Sequence, residues 1–198
     1  MNSSIFNRLI FFFLFLFCTS LRAEEGQSTL PADTWWQLNT LTGIQISKKP
    51  TDIVQLIVLF DANCPHCTKL WLYLYGKGSR YQQVVSLWVP VAYVNKDSIG
   101  KAASLLNSNS SQALANNFEN FDYGHRSGAA IPAGVTSSMR LSLDRNNSTW
   151  EKIMAATPLL IYKTRDGQVM TQVGLPPQIR LNDLLEKLAP SSLQNFSQ

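Results

Sequence analysis

Two cysteines separated by two residues, in the sequence Cys64-Pro65-His66-Cys67, are the side chains of this protein with the clearest chemical potential. An uncharged aliphatic run at 56–60 precedes them and predicts a buried strand. The apolar periodicity from Leu70 onward predicts a helix that begins at the cysteines. Free backbone N–H groups and the helix dipole favour a thiolate at such an N-terminus. We therefore expect Cys64 to have a low pKa and to be partly exposed, with Cys67 further inside the first turn.

The residues between the cysteines fit this interpretation. Pro65 suits a first helical turn, where its missing N–H costs nothing. His66, if protonated or donating a hydrogen bond, would lower the pKa of Cys64 further. A CxxC pair after a buried strand is typical of thioredoxin-type redox proteins.

Two alternative roles for the pair remain, half of a zinc site and an inert structural disulfide. Zinc would need two further ligands, and only His66 and His125 are available outside the signal-like N-terminus. Because His66 lies between the two thiols, it is badly placed to complete a tetrahedron with them. We favour a redox pair and predict no metal and no cofactor beyond a redox-active disulfide between Cys64 and Cys67.

The segment upstream of the cysteines is predicted to be irregular with one short helix. Residues 24–30 are polar, and we expect them to be loose. Asp33 or Thr34 can cap a helix that carries Trp35 and Trp36. Core packing is the favoured role for the adjacent tryptophans, and a peptide-binding or dimer surface is the alternative.

The first half of the predicted domain contains two central strands and two helices. The strands are predicted over 53–60 and 84–94, and Pro90 in the second marks a bulge or a sheet edge. Apolar residues at helical spacing predict helices over 99–106 and 113–118.

A glycine-rich stretch at 121–135 predicts a long loop. His125 falls in it, and a solvated loop histidine is the favoured role over a catalytic one. A further helical stretch follows at 139–154, and we expect Asn146-Asn147 to interrupt it.

The C-terminal part predicts a hairpin and a final helix. Strands are predicted over 159–163 and 169–173, with a turn at 165–167. Leucines at helical spacing predict a helix over 180–188 that packs on the sheet. The tail at 190–198 is expected to be disordered.

The N-terminus predicts export. Arg8, the phenylalanine-rich run 9–17 and a cleavage-like site at 21–23 are typical of a signal peptide over 1–23. The apolar run is short for a transmembrane span, and retention as an uncleaved anchor is the alternative. Cys18 lies inside this segment and is interpreted as part of it.

Removal of the signal peptide changes the net charge and the number of cysteines. The formal charge falls from +4 to +2 with the loss of Arg8 and Arg22, and three cysteines become two. No basic block is long enough to indicate nucleic-acid binding. About 175 residues remain, which fits one domain. Export places the cysteine pair in an oxidising compartment, where partner proteins would set its oxidation state.

Three blocks follow one another in a defined order: Phe60-Asp61-Ala62-Asn63-Cys64-Pro65-His66-Cys67 with Lys69 and Trp71, then Ala156-Thr157-Pro158-Leu159-Leu160-Ile161-Tyr162, then Val173-Gly174-Leu175-Pro176. Their order and spacing resemble the catalytic domain of the periplasmic DsbC/DsbG proteins, and of DsbG in particular. The resemblance covers roughly residues 34–189. Together the blocks are specific, whereas a CxxC pair alone is not.

The resemblance implies an α/β thioredoxin fold, a central mixed sheet flanked by helices, with a helical subdomain inserted at about 97–155. It implies that Pro158 follows a cis peptide bond and lies against the cysteine pair, although a proline that merely starts an edge strand is the alternative. It implies that Thr157 tunes redox behaviour and partner choice. Asp61 resembles a family position close to the site, and a simple turn role explains it equally well.

The expected organisation is a signal peptide at 1–23, an N-terminal segment with a linker-like helix at 24–50, a catalytic domain at 51–190 and a disordered tail at 191–198. By comparison with the family, we expect the N-terminal dimerisation domain to be lacking, which favours a monomer.

The function implied is that of a periplasmic thiol–disulfide oxidoreductase, a disulfide reductase or isomerase acting on protein clients and kept reduced by a DsbD-type membrane partner. The predicted catalytic residues are Cys64, Pro65, His66, Cys67, Thr157 and Pro158. One alternative is a DsbA-like dithiol oxidase, because the Pro-His dipeptide is the one found in DsbA proteins. Another is a chaperone or assembly factor with secondary redox activity.

Overall fold

A computed structural model describes residues 26–49 and 51–191, so the predicted signal peptide and residues 192–198 lie outside it. Six strands in this part form one mixed sheet in the order β1-β6-β5-β3-β4-β2. The strands are β1 Gln27–Leu30, β2 Ile44–Ile46, β3 Leu56–Phe60, β4 Ser86–Pro90, β5 Leu159–Lys163 and β6 Val169–Val173. The helices are α1 Thr34–Asn39, α2 Pro65–Tyr75, α3 Ser98–Ser108, α4 Ser111–Glu119, α5 Ser137–Ile153 and α6 Gln178–Glu186.

Strand β3, which leads into the cysteines, lies at the centre of the sheet. It pairs in parallel with β4 and antiparallel with β5. All five of its residues are buried, as expected for an aliphatic run covered on both faces. Side chains alternate between the two faces of the sheet. Val58 and Phe60 pack with Trp71 and Trp88 on one face, whereas Ile57 and Leu59 belong to a second core on the other face.

The second core contains side chains from α1 and α5, among them Trp35 and Trp150. Trp35 is 5 % exposed, which fits the predicted core role, but its neighbour Trp36 is 74 % exposed. The prediction for the adjacent tryptophans is therefore right for Trp35 and wrong for Trp36.

The stretch between β4 and β5 folds into helices α3, α4 and α5, in agreement with the predicted helical insertion. Leu105 of α3, Leu114 of α4 and Leu143 of α5 are buried in the same core as α2. The insertion is thus packed against the helix that carries the cysteines. No helix in residues 26–49 and 51–191 is long and apolar enough to cross a bilayer.

The prediction that residues 24–30 are loose is wrong for Gln27–Leu30, which form β1 and pair antiparallel with β6. This edge strand has little apolar content, and part of its pairing is polar, since Ser28 Oγ lies 2.7 Å from Thr171 Oγ1. Hydrophobic periodicity does not detect such a strand.

Two strands are shorter than predicted, and Pro90 has another role. The predicted strand over 53–60 begins only at Leu56, and the one over 84–94 comprises Ser86–Pro90. Strand β4 lies inside the sheet, between β3 and β2, so Pro90 marks neither an edge nor a bulge. It is the last residue of β4 and lies two residues beyond Trp88, where the pairing of β4 with β2 ends.

The expected interruption of a helix at Asn146-Asn147 is also wrong, because α5 is continuous. Nδ2 of Asn146 donates to the carbonyl oxygen of Pro90 at 3.0 Å, and Oδ1 of Asn147 accepts from the N–H of Ala92 at 3.0 Å. These tertiary hydrogen bonds outweigh the low helix propensity of asparagine.

The C-terminal hairpin is confirmed, with strands β5 and β6 at the predicted residues and Gly167 in its turn at a φ of 86°. The final helix begins at Gln178, two residues earlier than predicted. Ser191 accepts a 2.7 Å hydrogen bond from the N–H of Ile53, so the chain is still anchored where the expected tail begins.

Candidate active site

The cysteine pair lies at the start of α2, as the sequence predicts. Cys64 is the residue before the helix, with an extended backbone (φ −87°, ψ 117°), and Pro65 is the first helical residue. Sγ of Cys64 accepts a hydrogen bond from the N–H of Cys67 at 3.4 Å. The sulfur of Cys64 therefore takes the position of an N-cap acceptor, where negative charge is favoured.

The two thiols have opposite acidities. Hydrogen bonding from the Cys67 side chain lowers the pKa of Cys64 to about 6; burial opposes this, and bonds from the Thr157 side chain and from the N–H groups of Cys67 and His66 assist it. Burial raises the pKa of Cys67 well above its ordinary value, and hydrogen bonding to Cys64 and its charge add to this. At neutral pH the arrangement holds Cys64 as a thiolate beside a protonated Cys67.

The expectation that Cys64 is partly exposed is wrong, since only 3 % of the residue is accessible. Its sulfur is covered by the segment before β5, where it lies 3.5 Å from the carbonyl oxygen of Thr157. Sequence reasoning places the thiol at the tip of a helix but does not show which distant segment lies over it.

Thr157 and Pro158 are brought to the cysteines by the sheet, and the peptide bond between them is cis, as expected. The carbonyl oxygen of Pro158 accepts a 2.8 Å hydrogen bond from the N–H of Gly174. Two of the sequence blocks that resemble the DsbC/DsbG proteins thus meet beside the third, which contains Cys64.

His66 contributes through its backbone. Its side chain is exposed, whereas its N–H is among the groups that lower the pKa of Cys64. The idea that the ring itself acts on the Cys64 sulfur has no support in the hydrogen bonds of residues 26–49 and 51–191.

Asp61 is more than a turn residue. It is fully buried, and Oδ1 accepts from the N–H of Asn63 at 2.8 Å and from Oγ of Ser98 at 2.9 Å. Oδ2 accepts from the N–H groups of Tyr93 and Val94 at 2.8 and 3.0 Å. This carboxylate joins the loop before Cys64 to the segment after β4 and to α3. Its resemblance to a family position close to the site is the signal that suggested it.

Tyr93 is a site residue that sequence reasoning missed. Its hydroxyl lies 2.8 Å from Oγ1 of Thr157, and its ring packs on Trp150 with centroids 4.6 Å apart. No motif marks it, because its partners lie far away in the chain.

His125 lies in the predicted loop, and its side chain is 85 % exposed. A hydrogen bond from its ring to Asp122 raises its pKa. In the described part of the chain, no three His, Cys, Asp or Glu side chains are grouped as metal ligands would be.

Several proteins of known structure have a fold similar to that of this chain. No family model and no curated protein matches the chain. The structure of Proteus mirabilis ScsC in a transitional conformation is similar, with a TM-score of 0.60, 16 % identity and coverage of 80 % of this chain and 78 % of that one. A periplasmic thioredoxin-like protein from Salmonella enterica serovar Typhimurium has a TM-score of 0.58 and 17 % identity, with coverage of 80 % and 97 %. The chain has a thioredoxin fold.

A disulfide interchange protein from Neisseria gonorrhoeae is also similar, with a TM-score of 0.50, 17 % identity and coverage of 80 % of this chain and 97 % of that one. At such identities the likeness concerns the fold, and the chemistry must be argued from the site. Within this thioredoxin fold, β3, α2 and the Thr157–Pro158 peptide converge on the sulfur of Cys64.

Proposed function

We propose that this protein is an exported thiol–disulfide oxidoreductase that exchanges disulfides with periplasmic protein clients through Cys64 and Cys67. The observation that supports this best is the split in acidity, with the pKa of Cys64 lowered to about 6 and that of Cys67 raised. A structural pair has no need of this split, whereas an exchange reaction needs one thiolate and one reserve thiol.

In the reducing direction, the Cys64 thiolate attacks one sulfur of a client disulfide. A mixed disulfide forms between Cys64 and that sulfur, and the second client sulfur leaves as a thiolate. Cys67 then gives its proton to the departing client sulfur and attacks Sγ of Cys64. The client gains two electrons and two protons, one proton from Cys67 and one that the first departing thiolate takes from water, and the protein is left with a Cys64–Cys67 disulfide.

The other predicted residues serve this exchange by holding the cysteines. Pro65 starts α2 with the backbone angle that a first turn needs. The carbonyl oxygen of Thr157 faces the attacking sulfur at 3.5 Å. Pro158 follows that carbonyl across the cis peptide bond, and His66 provides a backbone donor.

For the direction of electron flow we favour a DsbG/DsbC-like reductase or isomerase, kept reduced by a DsbD-type membrane partner and acting as a monomer. The support is Thr157 before the proline and the block at 173–176, both of which resemble that branch. A DsbA-like oxidase is the second candidate, because the Pro65-His66 dipeptide resembles the one in DsbA. A stable Cys64 thiolate also favours the reduced pair, which makes the disulfide form a stronger oxidant.

Alkylation trapping in the periplasm of the native host tests the direction. The redox state of Cys64 and Cys67 is measured in the wild-type strain and in one that lacks the DsbD-type reductant. A reductase or isomerase is reduced in the first strain and oxidised in the second. A pair that is oxidised in both strains would contradict this proposal and support the oxidase.

The third candidate is a chaperone or assembly factor that binds clients through exposed side chains such as Trp36. Replacement of both cysteines by serine separates it from the other two, because a chaperone would still protect its client from aggregation.

A further inference from the structure

Thr157 contacts a surface residue with its side chain and the attacking sulfur with its backbone carbonyl group. The hydroxyl of Tyr93 lies 2.8 Å from Oγ1 of Thr157, and the carbonyl oxygen of Thr157 lies 3.5 Å from Sγ of Cys64. Tyr93 is 47 % exposed, Thr157 is 8 % exposed and Cys64 is 3 % exposed. Accessibility therefore falls steadily along the three residues, which come from three separate segments.

Both ends of the Tyr93–Thr157 contact are fixed by neighbouring groups. The N–H of Tyr93 donates to Asp61 at 2.8 Å, and the ring of Tyr93 packs on Trp150. Nε1 of Trp150 in turn donates to the carbonyl oxygen of Ala156 at 2.7 Å, directly before Thr157. One tryptophan thus supports both partners of the contact.

The donors and acceptors of this contact suggest an orientation for its protons. A threonine hydroxyl has one proton to donate, and its oxygen can accept two. Partial burial raises the pKa of Tyr93, so its phenol stays protonated and can donate. If Tyr93 donates to Oγ1 of Thr157, the threonine proton is free to point at the sulfur of Cys64. A hydrogen bond from the Thr157 side chain is among the contacts that lower the pKa of Cys64.

We propose that Tyr93 is a positioning residue for thiol–disulfide exchange, whose phenol proton, donated to Thr157 Oγ1, directs the Thr157 hydroxyl toward the Cys64 thiolate. In the thiol state the S–H of Cys64 donates to the carbonyl oxygen of Thr157 instead. Thr157 thereby offers its carbonyl oxygen to the thiol form of Cys64 and its hydroxyl to the thiolate form. Tyr93 strengthens the interaction of the hydroxyl with the thiolate. The inference rests on the proposed function only in taking Cys64 as the nucleophile.

Other titratable groups near Cys64 are distinct from this contact. The N–H of Cys67 donates a hydrogen bond to Sγ of Cys64, and the carboxylate of Asp61 accepts hydrogen bonds from backbone groups and from Ser98. His66 lies on α2 with an exposed side chain. Removing one oxygen from Tyr93 leaves the contacts of all three in place.

Tyr93→Phe tests the proposal by removing only that oxygen from a half-exposed ring. The thiolate of Cys64 is followed by its absorbance at 240 nm between pH 4 and 8. Loss of the hydrogen bond between Tyr93 and Thr157 should raise the pKa of Cys64 by about 0.5 to 1, which leaves roughly three- to tenfold less thiolate at low pH. Tyr73→Phe is the matched control, because Tyr73 lies further along α2 and its hydroxyl donates to Oδ1 of Asn182 on α6. An unchanged pKa in Tyr93→Phe, or an equal change in the control, would overturn the proposal.

A double-variant cycle makes the test independent of any single variant. Thr157→Val removes the hydroxyl and should also raise the pKa of Cys64, and adding Tyr93→Phe to it should raise the pKa no further. Full additivity would show that Tyr93 acts without Thr157 and would contradict the proposal. If Tyr93→Phe fails to fold, Thr157→Ser is compared with Thr157→Val. Equal pKa values of Cys64 in these two variants would show that the Thr157 hydroxyl has no effect and would overturn the proposal. No client enters these measurements, so an absence of exchange activity would refute the proposed function without affecting this result.

Discussion

The ammonium group of Lys101 donates a 2.8 Å hydrogen bond to Oδ1 of Asn63, the residue directly before Cys64. It donates another, also 2.8 Å long, to the carbonyl oxygen of Gly128. Lys101 is 3 % exposed, so its charge is almost entirely removed from water. Through this one cation, the helical segment between β4 and β5 holds the loop that carries the attacking thiol.

Replacement of Lys101 by methionine should therefore destabilise the fold. Asn63 and Gly128 would lose a buried donor, and Asp97, which lies 3.0 Å from the ammonium group, would lose its ion pair. We expect the free energy of unfolding to fall by about 2–4 kcal/mol, less than for a fully buried pair because Asp97 is partly exposed. Urea unfolding measures this, with Lys96→Met at an exposed position as the control. A loss below about 1 kcal/mol would contradict a structural role for the cation.

Gly128 is the second point at which the insertion meets the loop. A Cβ atom there would lie 2.2 Å from the carbonyl oxygen of Ala62 and 2.3 Å from Oδ1 of Asn117. Gly128→Ala should cost about 3 kcal/mol or more, which lowers Tm by at least about 6 °C in a chain of this size. Gly134→Ala is the control, since nothing lies within 4 Å of its added carbon. Equal Tm values for the two variants would show that this close approach is absent in solution.

The pKa of Cys64 predicts how stability depends on pH in the reduced protein. In the folded protein the pKa of Cys64, about 6, lies below the ordinary thiol value of 9.0. The thiolate therefore stabilises the folded state in full above pH 9, and this stabilisation is lost as the pH falls through 6. Between pH 5 and 8 it should add about 2–3 kcal/mol to the free energy of unfolding.

Urea unfolding at both pH values, in wild type and in Cys64→Ala, isolates this effect from other titrating groups. The stabilisation should be present in wild type and missing from the variant. If both proteins show the same dependence on pH, the thiolate is not the cause.

Much of the fold was predictable because its central elements have strong local signals. The aliphatic run before the cysteines, Pro65 at the helix start and the hairpin around Gly167 each depend on residues close together in the chain. Strand β1 was missed because its pairing with β6 depends on partners more than a hundred residues away.

The site was predictable to the same extent. The cysteines can be recognised by their spacing, and Thr157 and Pro158 by their resemblance to a known sequence block. Tyr93 and Lys101 have no such signal, because their partners Thr157 and Asn63 lie far from them in the chain. The burial of Cys64 is missed for the same reason, since the segment that covers its sulfur lies 93 residues away.

The measurement that tests the central claim most directly is the trapping of a mixed disulfide. Reduced Cys67→Ala and Cys64→Ala proteins are each mixed with a scrambled disulfide protein, and adducts are resolved on non-reducing gels and assigned by peptide mass spectrometry. Because Cys64 is the low-pKa thiol and Cys67 the resolving one, Cys67→Ala should accumulate an adduct bonded through Cys64, and Cys64→Ala should form none. An adduct through Cys67 in the Cys64→Ala protein, or no adduct in Cys67→Ala, would contradict the account.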